Sequence, residues 1–123
     1  MVLNSAGIAG GWVVEHLPEP RLMGDAILTP DGKVFIVNGA KSGVAGYGNV
    51  RNEVGASNAA NPAYRPCLYD PLAPAGQRFS TNFPSSSIER VYHSSATLIP
   101  DGRIWIAGGS QAIRRASSVL ERR

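Results

Sequence analysis

The adjacent side chains of Tyr92 and His93, in the stretch RVYHSSA, are the residues of this sequence best suited to chemistry. A phenolate oxygen and an imidazole nitrogen both bind transition metals, and both groups can accept protons. The pair stands just before an apolar run that is typical of a β-strand, where neighbouring side chains point to opposite faces. Two interpretations are therefore open. One ring packs in the core while the other faces solvent, or both bend toward one metal ion.

Four other residues could take part in a site, and each also has a structural interpretation. Asp25 could form an acid–base pair with His93, but we expect it to brace a hairpin. Cys67 is the only cysteine, which excludes an intrachain disulfide and a Cys-rich zinc site. We expect it to be a buried small hydrophobic residue. Tyr47 and Arg51 could border a pocket, although packing within their glycine-rich segment is the simpler interpretation.

An internal repeat organises the chain around these residues. LTPDGKVFIVNGA (28–40) and LIPDGRIWIAGGS (98–110) share their pattern at a constant offset of 70. In each copy the Pro-Asp-Gly turn predicts a hairpin. The second strand of each hairpin is almost entirely apolar, so we expect it to be buried on both faces. The Tyr–His pair lies in the segment RVYHSSAT of the second copy, and the matching segment of the first copy, RLMGDAI, contains neither tyrosine nor histidine. The repeated unit therefore does not itself require the pair.

The remaining segments complete a unit of four antiparallel strands. RPCLYDP (65–71) predicts a third strand that ends in a turn, and residues 77–80 a short fourth strand. We expect residues 41–64 to form a long irregular loop, and loops of this length are often functional. We expect residues 10–18 to be the last strand of a preceding blade. The fold class is therefore all-β, a partial kelch-type β-propeller of about one and a half blades. Because propellers close with four or more blades, we expect a fragment that aggregates when expressed alone.

Charge and hydropathy narrow the classes of partner. The net charge of +3 is carried by the last twelve residues, and the preceding 111 residues are balanced, which gives no support for nucleic-acid binding. The N-terminus does not resemble a signal peptide, and we expect no membrane span. We divide the chain into a propeller fragment at 1–110 and a basic tail at 111–123. In that tail, Ile113, Ala116 and Leu120 are spaced as on a short helix.

Several motifs together resemble the propeller of glyoxal oxidases, which are copper radical oxidases related to galactose oxidase. They are PRLMGDAILTPDGKVFIVNGAKSGVAGYGNV, NPAYRPCLYDPLAPAGQRF and IERVYHSSATLIPDGRIWIAGGS, and the resemblance covers roughly residues 12 to 110. It implies a secreted enzyme that oxidises simple aldehydes or alcohols and reduces O₂ to H₂O₂. It also implies a copper ion held by two tyrosines and two histidines. The YHS motif of the family falls on Tyr92, as ligand and general base, and on His93, as an equatorial ligand.

Departures from the family pattern restrict what this chain can do alone. The resemblance implies that the second histidine ligand and the tyrosine cross-linked to a cysteine lie outside this sequence. His16 matches no ligand motif, and Cys67 is not the cross-linking cysteine. We therefore expect the Tyr–His half of a copper site in a chain that is inactive by itself. The alternative is a non-catalytic propeller fragment or pseudoenzyme that acts only through protein–protein contact.

Overall fold

A computed structural model describes residues 14–47 and 57–109 of the chain. The described residues form eight β-strands and no helix, so no helix among them has the length and apolar character needed to cross a membrane. The strands are β1 (Asp25–Leu28), β2 (Val34–Val37), β3 (Ala40–Tyr47), β4 (Ser57–Pro62), β5 (Cys67–Tyr69), β6 (Phe79–Ser80), β7 (Ser94–Leu98) and β8 (Ile104–Gly108). The predicted basic tail and its helical spacing lie outside the described residues.

Four strands form one complete antiparallel blade, in the order β1-β2-β5-β6, which we call the first blade. This confirms the predicted unit of four strands. Its third strand, β5, and its fourth strand, β6, are both shorter than the predicted ranges 65–71 and 77–80. β7 and β8 form a separate antiparallel pair, the second hairpin, which repeats β1 and β2. One blade and half of another are therefore present, and the fold class is all-β as predicted.

The Pro-Asp-Gly turns explain why both copies reverse at the same place. In the first blade the Thr29 amide donates to the Lys33 carbonyl at 2.8 Å, and the Gly32 amide donates to Thr29 at 2.9 Å. The second hairpin repeats both bonds at the offset of 70, each at 2.9 Å. Gly32 adopts a φ of 79°, a left-handed conformation that glycine enters without steric cost. The sequence pattern thus fixes the hairpin register in both copies.

The segment 41–64 is not the irregular loop that its composition predicted. Residues on both sides of the undescribed stretch pair as an antiparallel hairpin of β3 and β4, which we call the inserted hairpin. Small residues permit a very close approach of its strands. A Cβ built on Gly43 would lie 2.1 Å from the Asn58 carbonyl oxygen. Glycine and alanine lack the alternating side chains by which strands are recognised, which is why this hairpin was missed.

Two further expectations are corrected. β8 is not buried on both faces, because Trp105 is 61% exposed and Ile106 is 37% exposed. The predicted strand at 10–18 is not formed in its described part, since residues 14–17 have no strand pairing. Glu15 instead forms an ion pair with Arg78 beside the end of the first blade.

The small core joins the inserted hairpin to the segment that precedes the second hairpin. Val91 is fully buried against Ala40 and Ala59 of the inserted hairpin, and Met23 packs beside them. The Gly39 amide also donates to the Arg90 carbonyl at 2.7 Å. Val91, the residue immediately before Tyr92, is therefore held by apolar packing and by a backbone hydrogen bond to the residue that precedes it.

Candidate metal-binding site

Tyr92 and His93, the Tyr–His pair, stack on each other directly before β7. Their ring centroids are 3.8 Å apart and their planes differ by 26°. Tyr92 is half-buried and His93 is exposed. The two residues lie in a turn rather than in the strand, so the rule of opposite faces does not apply to them. The structure stacks the two rings, and their unequal burial is close to the first of the two sequence interpretations, so binding of one metal by both rings stays a prediction.

The stacking follows from an unusual backbone conformation. His93 has a φ of 57°, in the left-handed region that non-glycine residues rarely adopt. At the repeat offset of 70, its counterpart is Met23, which has a φ of 56°. Both copies of the repeat therefore make the same bend before their first strand. The first copy places Leu22 and Met23 there, so the blade needs the bend but not a phenol and an imidazole.

The end of β8 approaches the Tyr–His pair more closely than a side chain would allow. A Cβ on Gly108 would lie 2.4 Å from the His93 carbonyl oxygen, and one on Gly109 would lie 2.0 Å from that of Tyr92. The Val91 amide donates to the Gly109 carbonyl at 3.1 Å. The Ser94 hydroxyl donates to the Val91 carbonyl at 3.0 Å and closes the turn from the other side. These contacts hold the backbone that carries the two rings.

The sequence singled out the Tyr–His pair but not the glycines that support it. The available signal was the repeat itself, because the first blade has Asn38 at the position of Gly108. From the first copy to the second, Asn38 is replaced by Gly108 where Leu22-Met23 is replaced by Tyr92-His93. These two replacements together distinguish the second copy from the first.

Asp25 and Cys67 have their described interactions outside the pair. Asp25 accepts a hydrogen bond at 2.7 Å from the Asn38 side-chain amide, which confirms that it braces the first hairpin. Cys67 is 3% exposed, as expected for a small buried residue, and burial raises the pKa of its thiol. Arg51 lies outside the described residues, and the structure does not describe the side chain of Tyr47. That these two residues border a pocket therefore stays a prediction.

A cleft of about 340 Å³ lies between the first blade and the second hairpin. Its walls include Phe35, Val37, Arg90 and Ile106. Neither member of the Tyr–His pair belongs to its lining. The cleft and the Tyr–His pair are therefore separate features of the described residues.

The Tyr–His pair places a phenol beside an imidazole, with ring centroids 3.8 Å apart, but does not form a complete metal site. Within the described ranges there is no group of three or more His, Cys, Asp or Glu side chains able to hold a metal. Phenol and imidazole fit a copper ion as ligands, and further ligands must come from elsewhere.

Comparisons with known proteins agree with the resemblance seen in the motifs. The family model described as the glyoxal oxidase N-terminus matches residues 3–117. An aldehyde oxidase from Vitis pseudoreticulata is 41% identical over 80% of this chain, and one from Arabidopsis thaliana is 39% identical over the same share. A galactose oxidase from Gibberella zeae is 32% identical over 72% of the chain.

The chain covers only part of these relatives, namely 17%, 14% and 11% of their respective lengths. No solved structure matches it significantly. The family model nevertheless spans nearly the whole sequence, including the first blade, the inserted hairpin and the Tyr–His pair. The chain therefore belongs to the glyoxal oxidase N-terminal family.

Proposed function

We propose that this chain supplies the Tyr–His half of the copper site of an oxidase that converts simple aldehydes or alcohols and reduces O₂ to H₂O₂. The aldehyde and galactose oxidases among its relatives support an oxidase of this class. A secreted location, as in the family, is part of the same proposal. The remaining ligands and the second redox centre belong to parts of the enzyme outside this sequence.

The stacked Tyr–His pair is the observation that carries the proposal. The repeat makes the same bend with Leu22 and Met23, at nearly the same φ. Two coordinating side chains therefore occupy a position where the fold accepts two apolar ones. A left-handed conformation at a non-glycine residue costs on the order of 1 to 3 kcal/mol and is frequent at functional sites. The bend alone is architectural, whereas the choice of tyrosine and histidine is not.

Each member of the pair has a distinct role in this proposal. The His93 imidazole holds the metal through a ring nitrogen. Tyr92, as a phenolate, would be a second ligand and would take the substrate's proton to become a neutral phenol, and its half-buried position limits competition from water. Copper supplies the one-electron chemistry that, together with a second one-electron centre, makes a two-electron oxidation. Val91, Ser94 and the two glycines keep both rings in place.

Titration of the full 123-residue chain with Cu(II) tests the tyrosine role by visible absorbance. We expect a phenolate-to-copper absorption band that saturates at one equivalent and disappears in Tyr92→Phe. Tyr64→Phe is the matched control, because Tyr64 is 38% exposed in the connection between β4 and β5 and lies outside the pair. A band that survives in Tyr92→Phe, or that is lost equally in Tyr64→Phe, would contradict the assignment.

A further inference from the structure

Asn38 and Gly39, which we call the Asn-Gly pair, form the only Asn-Gly sequence of the chain and directly follow β2. In this sequence asparagine deamidates most readily, because glycine has no Cβ to shield its backbone nitrogen. At the repeat offset of 70, the second hairpin has Gly108 and Gly109 instead. The first blade therefore carries a modifiable residue at a position where the repeat does not require one.

The fold engages each group that deamidation uses. The reaction begins when the Gly39 nitrogen, after losing its proton, attacks the side-chain carbonyl carbon of Asn38. In the structure that nitrogen donates a hydrogen bond to the Arg90 carbonyl at 2.7 Å. The Asn38 side-chain amide donates to the Asp25 carboxylate at 2.7 Å, which restrains the side chain. Asn38 is also only 4% exposed, so solvent water has little access to it.

Neither product of the reaction fits the closed structure. An aspartate at position 38 would place a second carboxylate where the amide now donates to Asp25, and like charges repel. An isoaspartate would instead add one carbon atom to the backbone before Gly39. There is no room for it, because even a Cβ on Gly39 would lie 2.5 Å from the Leu22 carbonyl oxygen and 2.9 Å from the Gly24 nitrogen.

We propose that the Asn-Gly pair is a deamidation site that reacts only when the first blade separates from the segment before the Tyr–His pair, and that the reaction makes this separation permanent. On opening, the Gly39 nitrogen loses its proton to water, bonds to the Asn38 side-chain carbonyl carbon and expels ammonia. Water then hydrolyses the cyclic imide to aspartate or isoaspartate. The net change converts an amide and water into a carboxylate and ammonium. This inference is independent of the proposed copper site.

The test follows deamidation in the full 123-residue chain across its urea unfolding curve. Trypsin cleaves after Lys33 and Lys41 and releases residues 34–41, whose mass reports the exchange of amide for carboxylate. A synthetic peptide of the same residues gives the unprotected rate, and a sample digested at zero time corrects for reaction during digestion. We expect the folded chain to react about 100-fold more slowly than the peptide, as for a site reached only by local opening.

Two carboxylate variants separate release of the Asn38 side chain from a general loss of stability. Asp25→Ala removes the acceptor of the Asn38 amide and should raise the rate in the folded chain about 10-fold. Asp31→Ala is the matched control, because Asp31 is an exposed carboxylate of the same hairpin that bonds to Thr29. Urea is adjusted so that both variants are compared at the same folded fraction.

Asn38→Asp reproduces the aspartate product and tests whether the change is permanent. At neutral pH it should lower the folding equilibrium constant about 10- to 100-fold, as for a lost hydrogen bond to a charged group. Asp25→Asn in the same chain should restore the constant, because the amide and the carboxylate are then exchanged.

Three results would overturn the proposal. The first is a chain in water that deamidates as fast as the synthetic peptide. The second is an equal rate in Asp25→Ala and Asp31→Ala at the same folded fraction, which would show that only global unfolding exposes the site. The third is an Asn38→Asp variant as stable as the original chain, which would show that the product closes normally.

Discussion

Gly108 lies beside His93 where the first blade has Asn38, and replacing it with asparagine tests how the Tyr–His pair is held. The added Cβ would lie 2.4 Å from the His93 carbonyl oxygen and 2.8 Å from the Ser94 Cα. Non-bonded carbon atoms normally approach to about 3.5 Å. The two backbones must therefore separate by roughly 1 Å. Asparagine itself is accepted at this position of the repeat, since Asn38 has a φ of 63°.

The expected loss can be worked out from that displacement. Overpacking of this kind costs about 1 to 3 kcal/mol of unfolding free energy. A ligand moved by about 1 Å loses on the order of 100-fold in function, and the same factor in affinity is about 2.7 kcal/mol. We therefore expect Gly108→Asn to weaken Cu(II) binding about 100-fold, a loss similar in size to its cost in stability. The imidazole and phenol themselves are unchanged in this variant.

Cu(II) affinity and urea unfolding are measured in parallel for Gly108→Asn and for Asn38→Gly. The control removes the 2.7 Å bond between Asn38 and Asp25 and should lose about 1 kcal/mol of stability without loss of copper affinity. Gly108→Ala adds the same Cβ without the amide and shows whether the Cβ alone displaces the pair. Unchanged copper affinity in a folded Gly108 variant, or an equal loss in Asn38→Gly, would refute the positioning role.

Three further predictions concern the first blade. Arg21 has a side chain that is 2% exposed, and it donates to the Asn38 and Arg65 carbonyls and pairs with Glu19 at 3.0 Å. Arg21→Met should therefore lower the unfolding free energy by about 3 to 5 kcal/mol in urea titrations, and a loss below about 1 kcal/mol would show that the contacts are not stabilising. Because Cys67 is buried and its thiol pKa is raised, it should react with a disulfide reagent only as the blade unfolds, and rapid reaction of the folded chain would contradict this. The Thr29 hydroxyl and Lys33 lower the pKa of Asp31 to about 2, so the turn's contribution should be full above about pH 4 and lost as pH falls toward 2, whereas Asp31→Asn should remove this acid dependence from the unfolding curve.

Turn chemistry and apolar pattern were sufficient to predict the first blade and the second hairpin. The Pro-Asp-Gly turn is specified by adjacent residues, because it requires a left-handed conformation at its glycine. Gly32 adopts that conformation, with a φ of 79°. The inserted hairpin was not predicted, because its strands are built from glycine, alanine and asparagine. Their pairing depends on close backbone approach, as at Gly43, which no alternation of side chains reports.

The sequence singled out Tyr92 and His93 but did not predict how their rings are arranged. The motif located Tyr92 and His93, yet the strand rule would have sent their rings to opposite faces. Only the left-handed φ of His93 brings the rings together, and that conformation depends on contacts with residues far along the chain, such as Gly108. Burial of β8 was overestimated for a related reason. An apolar sequence indicates a strand that can be covered, whereas Trp105 is covered only when another strand is present.

Electron paramagnetic resonance at one equivalent of Cu(II) is the most direct test of the central claim that the Tyr–His pair is half of a copper site. His16 is the other histidine of the chain and is exposed, so it provides the matched control. We expect a single Cu(II) species with hyperfine coupling from one imidazole nitrogen, lost in His93→Ala and retained in His16→Ala. A nitrogen coupling that persists in His93→Ala, or that disappears in His16→Ala, would contradict the account.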